Sequence, residues 1–442
     1  MAPSDRPRIL RLAELDDDQR RALTERGAID LAGVVERARP IVEAVRREGD
    51  AALLRFAREF DRADLASTGL KVPRDAFDKA YDRVPQDVID AIRLAAANIR
   101  TIHEKQKPEE YELTTVRPGV IAGDRYVPIE AVACYVPRGK GSFPSVTLMT
   151  AIPAVVAGCP RVVVLTPPGP DGACDPGTLV AAREAGVDEV YLAGGAQAIA
   201  AVAFGTETVP RCHKVVGPGS PWVVAGMRLC ADFIAPGPPA GPSESMVLAD
   251  EGADIERLAL DLMIEAEHGP DSTTFLVTLS ESAAAAVAGR IVELAERLGE
   301  QRRDYVTTVF SRNGGLLVAR DLDDAIAFAN EFAAEHLQIA CANPWDVAAR
   351  IVNAGEILLG QDAPFSMANF MIGVNAVLPT GGKARSASAL GVMDYIKRMS
   401  VAHLTREGYE GLAAATEAFA RYEGFDAHGL AITARPGPSK PT

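Results

Sequence analysis

Between about residues 131 and 235, short apolar runs alternate with small-residue helical stretches, and Gly or Pro stands at most of the junctions. Residues 131–136 and 161–165 read as strands, the second ending at Pro167-Pro168. A helix over 179–185, a strand over 187–192, a turn at Gly194-Gly195 and a helix over 196–204 follow, and 213–216 then runs into Gly217-Pro218-Gly219. Strands alternating with helices predict a parallel sheet covered on both faces, with ligands at the carboxyl ends of the strands, where these turns fall. A second stretch of the same kind runs from about 240 to 380, with strands over 245–249 and 274–279 and helices over 255–268, 282–298 and 322–337.

The flanks are different. Residues 1–110 read as a mainly helical segment joining the first α/β domain, with 87–102 amphipathic behind an acidic first turn. Residues 385–432 read as helical, and 433–442, rich in proline, as a disordered tail. A length of 442 residues suits two or three such domains.

Composition narrows the function. Against 46 Lys+Arg stand 60 Asp+Glu, a formal charge of −14 that repels phosphate backbones and argues against a nucleic-acid partner. The six cysteines (Cys134, Cys159, Cys174, Cys212, Cys230 and Cys341) lack C-x-x-C spacing, as reduced thiols in a cytoplasm would. No apolar run approaches the roughly 20 residues of a membrane helix, and the charged N-terminus has no apolar signal core. The expectation is a cytoplasmic, globular, acidic protein without a membrane partner.

Several constellations can carry chemistry. Glu265 and His268 are three apart on a predicted helix, a spacing that places two ligands in one metal site and equally suits an exposed polar pair near a helix end. Glu335-His336 offers two adjacent bases from the end of a predicted helix, or an ordinary solvent-facing pair. Gly194-Gly195-Ala196-Gln197 and Gly217-Pro218-Gly219-Ser220 suit a phosphate at a helix N-terminus, or are plain turns; neither is a G-x-G-x-x-G fingerprint. Ser243-Glu244 sets a hydroxyl and a carboxylate beside a predicted strand, and Glu423 with His428 lies close to the C-terminus.

Taken together, PSVTLMTAIPAVVAGC, GGAQAIAAVAFGTE, KVVGPG, AGPSE, EAEHGPDS, AAEHL, NAVLPT, DYIKRMS and EGFDAH resemble the histidinol dehydrogenase family along most of the chain. The resemblance implies two incomplete Rossmann-like parallel-sheet domains with helical N- and C-terminal segments. It also implies a homodimer in which the C-terminal segment completes the partner's site. It implies NAD and one Zn²⁺ per subunit, and a four-electron oxidation of a small primary amino alcohol to the acid through a bound aldehyde. L-histidinol is the default substrate, in amino-acid biosynthesis. By resemblance Glu335 and His336 are the acid/base pair, and Tyr135, Gln197 and Ser220 contact the dinucleotide. Glu265, His268, Asn369 and His428 hold the metal, and Ser243, Glu423 and His336 join those four around the substrate.

The sequence departs from the family at that metal. The family's Gln and Asp are here Glu265 and Asn369, so acid and amide have traded places with no change in formal charge, which reads as a retained divalent site. An imidazole is missing at Ala376, Ser220 replaces an Asn, and Arg138 replaces a Gly and would suit an anionic substrate. Two alternatives to histidinol oxidation follow. One is a paralogue oxidising another small polar alcohol such as a sulfopropanediol, and the other a non-catalytic ligand-binding relative.

Overall fold

Ala131–Tyr135 and Glu244–Ala249 are buried along their whole length, as strands covered on both faces must be. The structure, a computed structural model, describes residues 6–25, 31–138, 141–238 and 241–435. Its strands in chain order are β1 (Ile9–Arg11), β2 (Tyr111–Arg117), β3 (Val120–Pro128), β4 (Ala131–Tyr135), β5 (Arg161–Thr166), β6 (Val190–Leu192) and β7 (Lys214–Val216). They continue as β8 (Ala235–Pro236), β9 (Glu244–Ala249), β10 (Thr273–Thr278), β11 (Gly315–Val318), β12 (His336–Ala340), β13 (Glu356–Leu359) and β14 (Ile396–Leu404).

Two parallel sheets result, as the alternation requires: β6-β5-β4-β7-β8 and β1-β11-β10-β9-β12-β13. In each, strand order reverses once, between β4 and β7 and between β9 and β12. Such a reversal opens a crevice where the flanking connections part to opposite sides. The pleat of the second sheet sends Met246, Phe275 and Leu337 to one face, against Phe328 and Phe332 of the helix Leu322–Phe332. Val247 and Leu276 go to the other, against Leu258 and Leu262 of the helix Ile255–Ala266.

The chain divides into two compact units. Met1–Lys107 and Ile129–Tyr395 form the first, which holds both parallel sheets. Pro108–Pro128 and Ile396–Thr442 form the second: an antiparallel sheet β14-β3-β2 followed by the helices Arg406–Glu423 and Asp426–Thr433.

Several elements differ from the sequence reading. Ile9–Arg11, inside a segment read as helical, is a strand on the edge of the second sheet, where its backbone pairs with β11. The stretch 385–432, read as helical, contains the nine-residue β14, whose strand partner among the described residues is β3. The β2–β3 hairpin was not legible, because β2 is exposed throughout and carries no buried face to pattern it. The helix expected over 322–337 stops at Phe332, because Ala333 takes a left-handed φ of 52°. Residues 436–442 of the expected tail lie outside the described residues. No helix among the described residues is long and apolar enough to cross a membrane, and all six cysteines are unpaired.

Candidate active site

Past Ala333 the chain turns through Ala334 and Glu335 into β12, so His336 is the first residue of a central strand. Glu335-His336 therefore stands at a strand start and not, as the sequence suggested, at a helix end. His336 is in register with Ser245 of β9 and Glu356 of β13. The helix Ile255–Ala266 crosses back between two parallel strands, which returns its last turn, with Glu265, to the same amino edge. Glu244, Glu265, Glu335 and His336 are all buried there.

The contacts are short and mutual. Glu335 Oε2 accepts the Glu244 amide at 2.9 Å, and Glu335 Oε1 lies 3.8 Å from His336 Nε2. His336 Nδ1 is 2.5 Å from Glu356 Oε1. Asn369 Nδ2 donates to Glu265 Oε1 at 2.8 Å, His268 Nδ1 stands 3.3 Å from Glu265 Oε2, and Ser243 hydrogen-bonds the same carboxylate. Thus Ser243, Glu265, His268 and Asn369, distant in sequence, share one centre beside the Glu335-His336 pair.

Electrostatics divides the acids. Burial pushes the Glu335 carboxyl up to about 8 against the pull of His336, with Glu265 and Glu244 raising it further. Burial also works against ionisation of Glu265, but His336, His268 and the Asn369 and Ser243 hydrogen bonds outweigh it and hold that carboxyl below its ordinary value. Burial alone would lower His336, yet Glu265, Glu335 and Glu356 overcome it and raise the imidazole to about 10. His336 thus stands among the carboxyl groups of Glu265, Glu335 and Glu356, an acid-rich setting that suits a divalent cation.

The donors suit such a cation. Asn369 turns its Nδ2 to Glu265, which leaves the amide oxygen as the atom it can offer. His268 Nδ1 meets the Ile264 carbonyl at 3.0 Å, the arrangement in which Nε2 carries the ligating lone pair. Among the described residues no three Asp, Glu, His or Cys side chains form a closed cation cage within one chain. His428 belongs to the second unit, on the exposed helix Asp426–Thr433, where its ring lies 5.0 Å from that of Phe425. Glu423 ends the preceding helix of that unit, also exposed.

The expected dinucleotide contacts gather on the first sheet. Tyr135 ends β4, and its hydroxyl accepts the Gly195 amide at 3.2 Å where the helix Gly195–Phe204 begins. Burial raises that phenol to about 12, so it stays a neutral hydroxyl. Gln197 is buried in the same helix, and Ser220 is the exposed N-cap of Pro221–Leu229. A Cβ at Gly217, whose φ is 121°, would stand 2.1 Å from the Tyr135 carbonyl, so the β4–β7 crevice requires glycine there. A cleft of about 1400 Å³ is lined by Gly217 and Gly219 and, beside the second sheet, by Pro242, Glu244 of β9 and Thr380. Arg138 is tied to the 169–173 loop by a 2.8 Å bond from Nη1 to the Ala173 carbonyl.

The sequence profile of histidinol dehydrogenase matches residues 24–436. The chain belongs to the histidinol dehydrogenase family. A histidinol dehydrogenase homolog from Colwellia psychrerythraea is 50% identical over 427 residues, 96% of either chain. The histidinol dehydrogenase of Synechocystis sp. is 45% identical over 428 residues, 97% of this chain and 99% of its own. The crystal structure of histidinol dehydrogenase from Elizabethkingia anophelis aligns with a TM-score of 0.90 at 31% identity, over 97% of this chain and 98% of that one.

This member of the histidinol dehydrogenase family, an oxidoreductase family, carries two site carboxylates to which sequence reasoning gave no role. Glu244 Oε1 accepts the Gly381 amide at 2.8 Å, closing the 375–381 loop over the edge of the sheet; its only sequence signal was its place after Ser243. Glu356 opens an apolar run, EILLG, and shares no motif with His336. Only strand pairing brings the two together.

Proposed function

We propose that this protein catalyses the NAD-linked, divalent-metal-dependent, four-electron oxidation of a small primary alcohol to the acid through a bound aldehyde, with L-histidinol as the default substrate. The observation that carries the reading is the buried His336, 3.8 Å from Glu335 and 2.5 Å from Glu356, beside the Glu265–Asn369 pair. His336 Nε2 receives the alcohol proton as hydride leaves carbon, and Glu335 takes a proton from the water that adds to the aldehyde. Hydration is needed because an aldehyde carbon can yield a second hydride only once it carries a second oxygen. Tyr135, Gln197 and Ser220 hold the dinucleotide.

Glu265, His268, Asn369 and His428 would hold one Zn²⁺ per subunit, which when bound orients and polarises the alcohol oxygen. Neutralising Glu265 removes the leading attraction that keeps His336 protonated, freeing it to act as a base. Ser243, Glu423 and His428 complete the substrate's surroundings. Since the last two lie on the second unit, we read the active form as a homodimer whose C-terminal segment completes the partner's site. Reduced thiols suit a cytoplasmic setting.

A second reading keeps the chemistry and changes the alcohol. Relatives named histidinol dehydrogenase homolog match at 49 to 51%, against 45% for the histidinol dehydrogenase of Synechocystis. Ala376 removes an imidazole expected near the metal, which favours another small polar alcohol such as a sulfopropanediol. NADH yield across a panel of primary alcohols tests both. Two NADH per histidinol supports the default, two per another alcohol only supports the second, and none from any alcohol leaves a ligand-binding protein.

A further inference from the structure

His336 and Glu356 are the first residues of two adjacent parallel strands and are register partners. Their side chains meet at 2.5 Å, Nδ1 to Oε1, with 4% and 6% of their surfaces exposed. The Glu356 amide also donates to the Glu335 carbonyl at 3.0 Å, so the β13 start is tied to the pair by main chain as well. The second carboxylate oxygen, Oε2, is buried without a hydrogen-bond partner. A carboxylate buried with one oxygen unsatisfied costs stability. At the first position of β13 a residue without charge would serve the sheet as well. What the carboxylate does at this position is hold the imidazole.

We infer that Glu356 is a positioning residue for the proposed base: it accepts the Nδ1–H of His336, fixes the tautomer whose Nε2 lone pair faces Glu335 and the substrate, and stabilises the imidazolium formed on proton transfer. This inference rests on the reading of His336 as the base. In the step concerned, the alcohol O–H breaks and its proton forms Nε2–H, while the carbon's hydride leaves with its electron pair to the nicotinamide ring. The Nδ1–H stays on His336 throughout, so Glu356 gains no proton. A charged acceptor on the far nitrogen of a base is the arrangement that sets tautomer and orientation in other acid–histidine pairs.

The test combines a readout independent of turnover with a kinetic one. Histidine-selective ¹⁵N labelling is applied to the full-length protein loaded with Zn²⁺, the state in which Glu265 no longer holds His336 doubly protonated. With the His336 signals identified by their loss in His336→Asn, it should show a protonated Nδ1 and an unprotonated Nε2. Glu356→Gln keeps size but offers an amide that can donate to Nδ1, so the protonated nitrogen should become Nε2. In parallel, kcat should fall roughly 10²-fold or more with KM within about threefold, and Glu356→Asp should regain part of the loss. An unprotonated Nδ1 in the wild type, or an unchanged tautomer in Glu356→Gln, overturns the inference, as does a kcat within twofold of wild type. If the wild type turns over no alcohol, the proposed function fails on its own while the tautomer measurement still decides the role of Glu356.

Discussion

Asn369 Nδ2 donates to Glu265 Oε1 at 2.8 Å, so the acid and the amide that the resemblance reads as exchanged are direct partners. An exchange across a hydrogen bond preserves the atoms facing the shared centre: one carboxylate and one amide, in reversed order. Glu265→Gln should therefore lower the divalent metal retained after dialysis by about 10- to 100-fold, the range expected when a site loses a supporting charge. Glu265→Gln/Asn369→Asp should restore it to within about threefold. Elemental analysis of the two variants decides; a double variant as empty as the single one would break the link between the exchange and the cation.

Glu335→Gln leaves a side chain of the same size that still accepts the Glu244 amide but cannot take a proton. Its effect should concentrate on the second oxidation, because that is the half that requires water to be activated. We expect overall kcat to drop about 10²- to 10⁴-fold and the early yield to approach one NADH per alcohol instead of two. A variant that slows both halves equally would remove Glu335 from the water step.

The stability of the cation-free protein should depend on pH with a definite sign. Glu335 is raised from 4.5 to about 8, mainly by burial, and His336 from 6.5 to about 10, by carboxylates that outweigh its burial. Both folded values exceed the unfolded ones, so the native state binds more protons. The Glu335 contribution is complete below about pH 4.5 and lost as pH rises through 8; that of His336 is complete below 6.5 and lost through 10. Urea midpoints should fall from pH 5 to 9, and Glu335→Gln should flatten the lower part of that decline. Parallel curves for variant and wild type would mean that Glu335 titrates near its ordinary value.

Gly217→Ala tests the crevice of the first sheet. The added carbon meets the Tyr135 carbonyl at 2.1 Å and must also accept a φ of 121°. Together these should cost about 2–3 kcal/mol and weaken dinucleotide binding by displacing the end of β4. Thermal unfolding and an NAD titration report the two effects separately. Unchanged binding in a destabilised variant would place the dinucleotide away from this turn.

How much of this was legible in the chain differs from element to element. The strands β4, β5, β9 and β10 announced themselves as apolar runs between breakers, because a strand buried along most of its length favours apolar side chains, and the polar residues of β9 and β10 cluster mainly at their first positions. Local chemistry likewise set the glycine turns and the Glu265–His268 spacing. Strands that owe their existence to a partner were not legible: β1, β2 and β14 are largely exposed and form because β11 and β3 take up their backbone groups. The same distinction runs through the site. Residue types and short spacings depend on near neighbours and can be read from them. The amino-edge position of His336, its Glu356 partner 20 residues on and the Asn369–Glu265 bond across 104 residues come from strand register and helix return, which no local segment encodes.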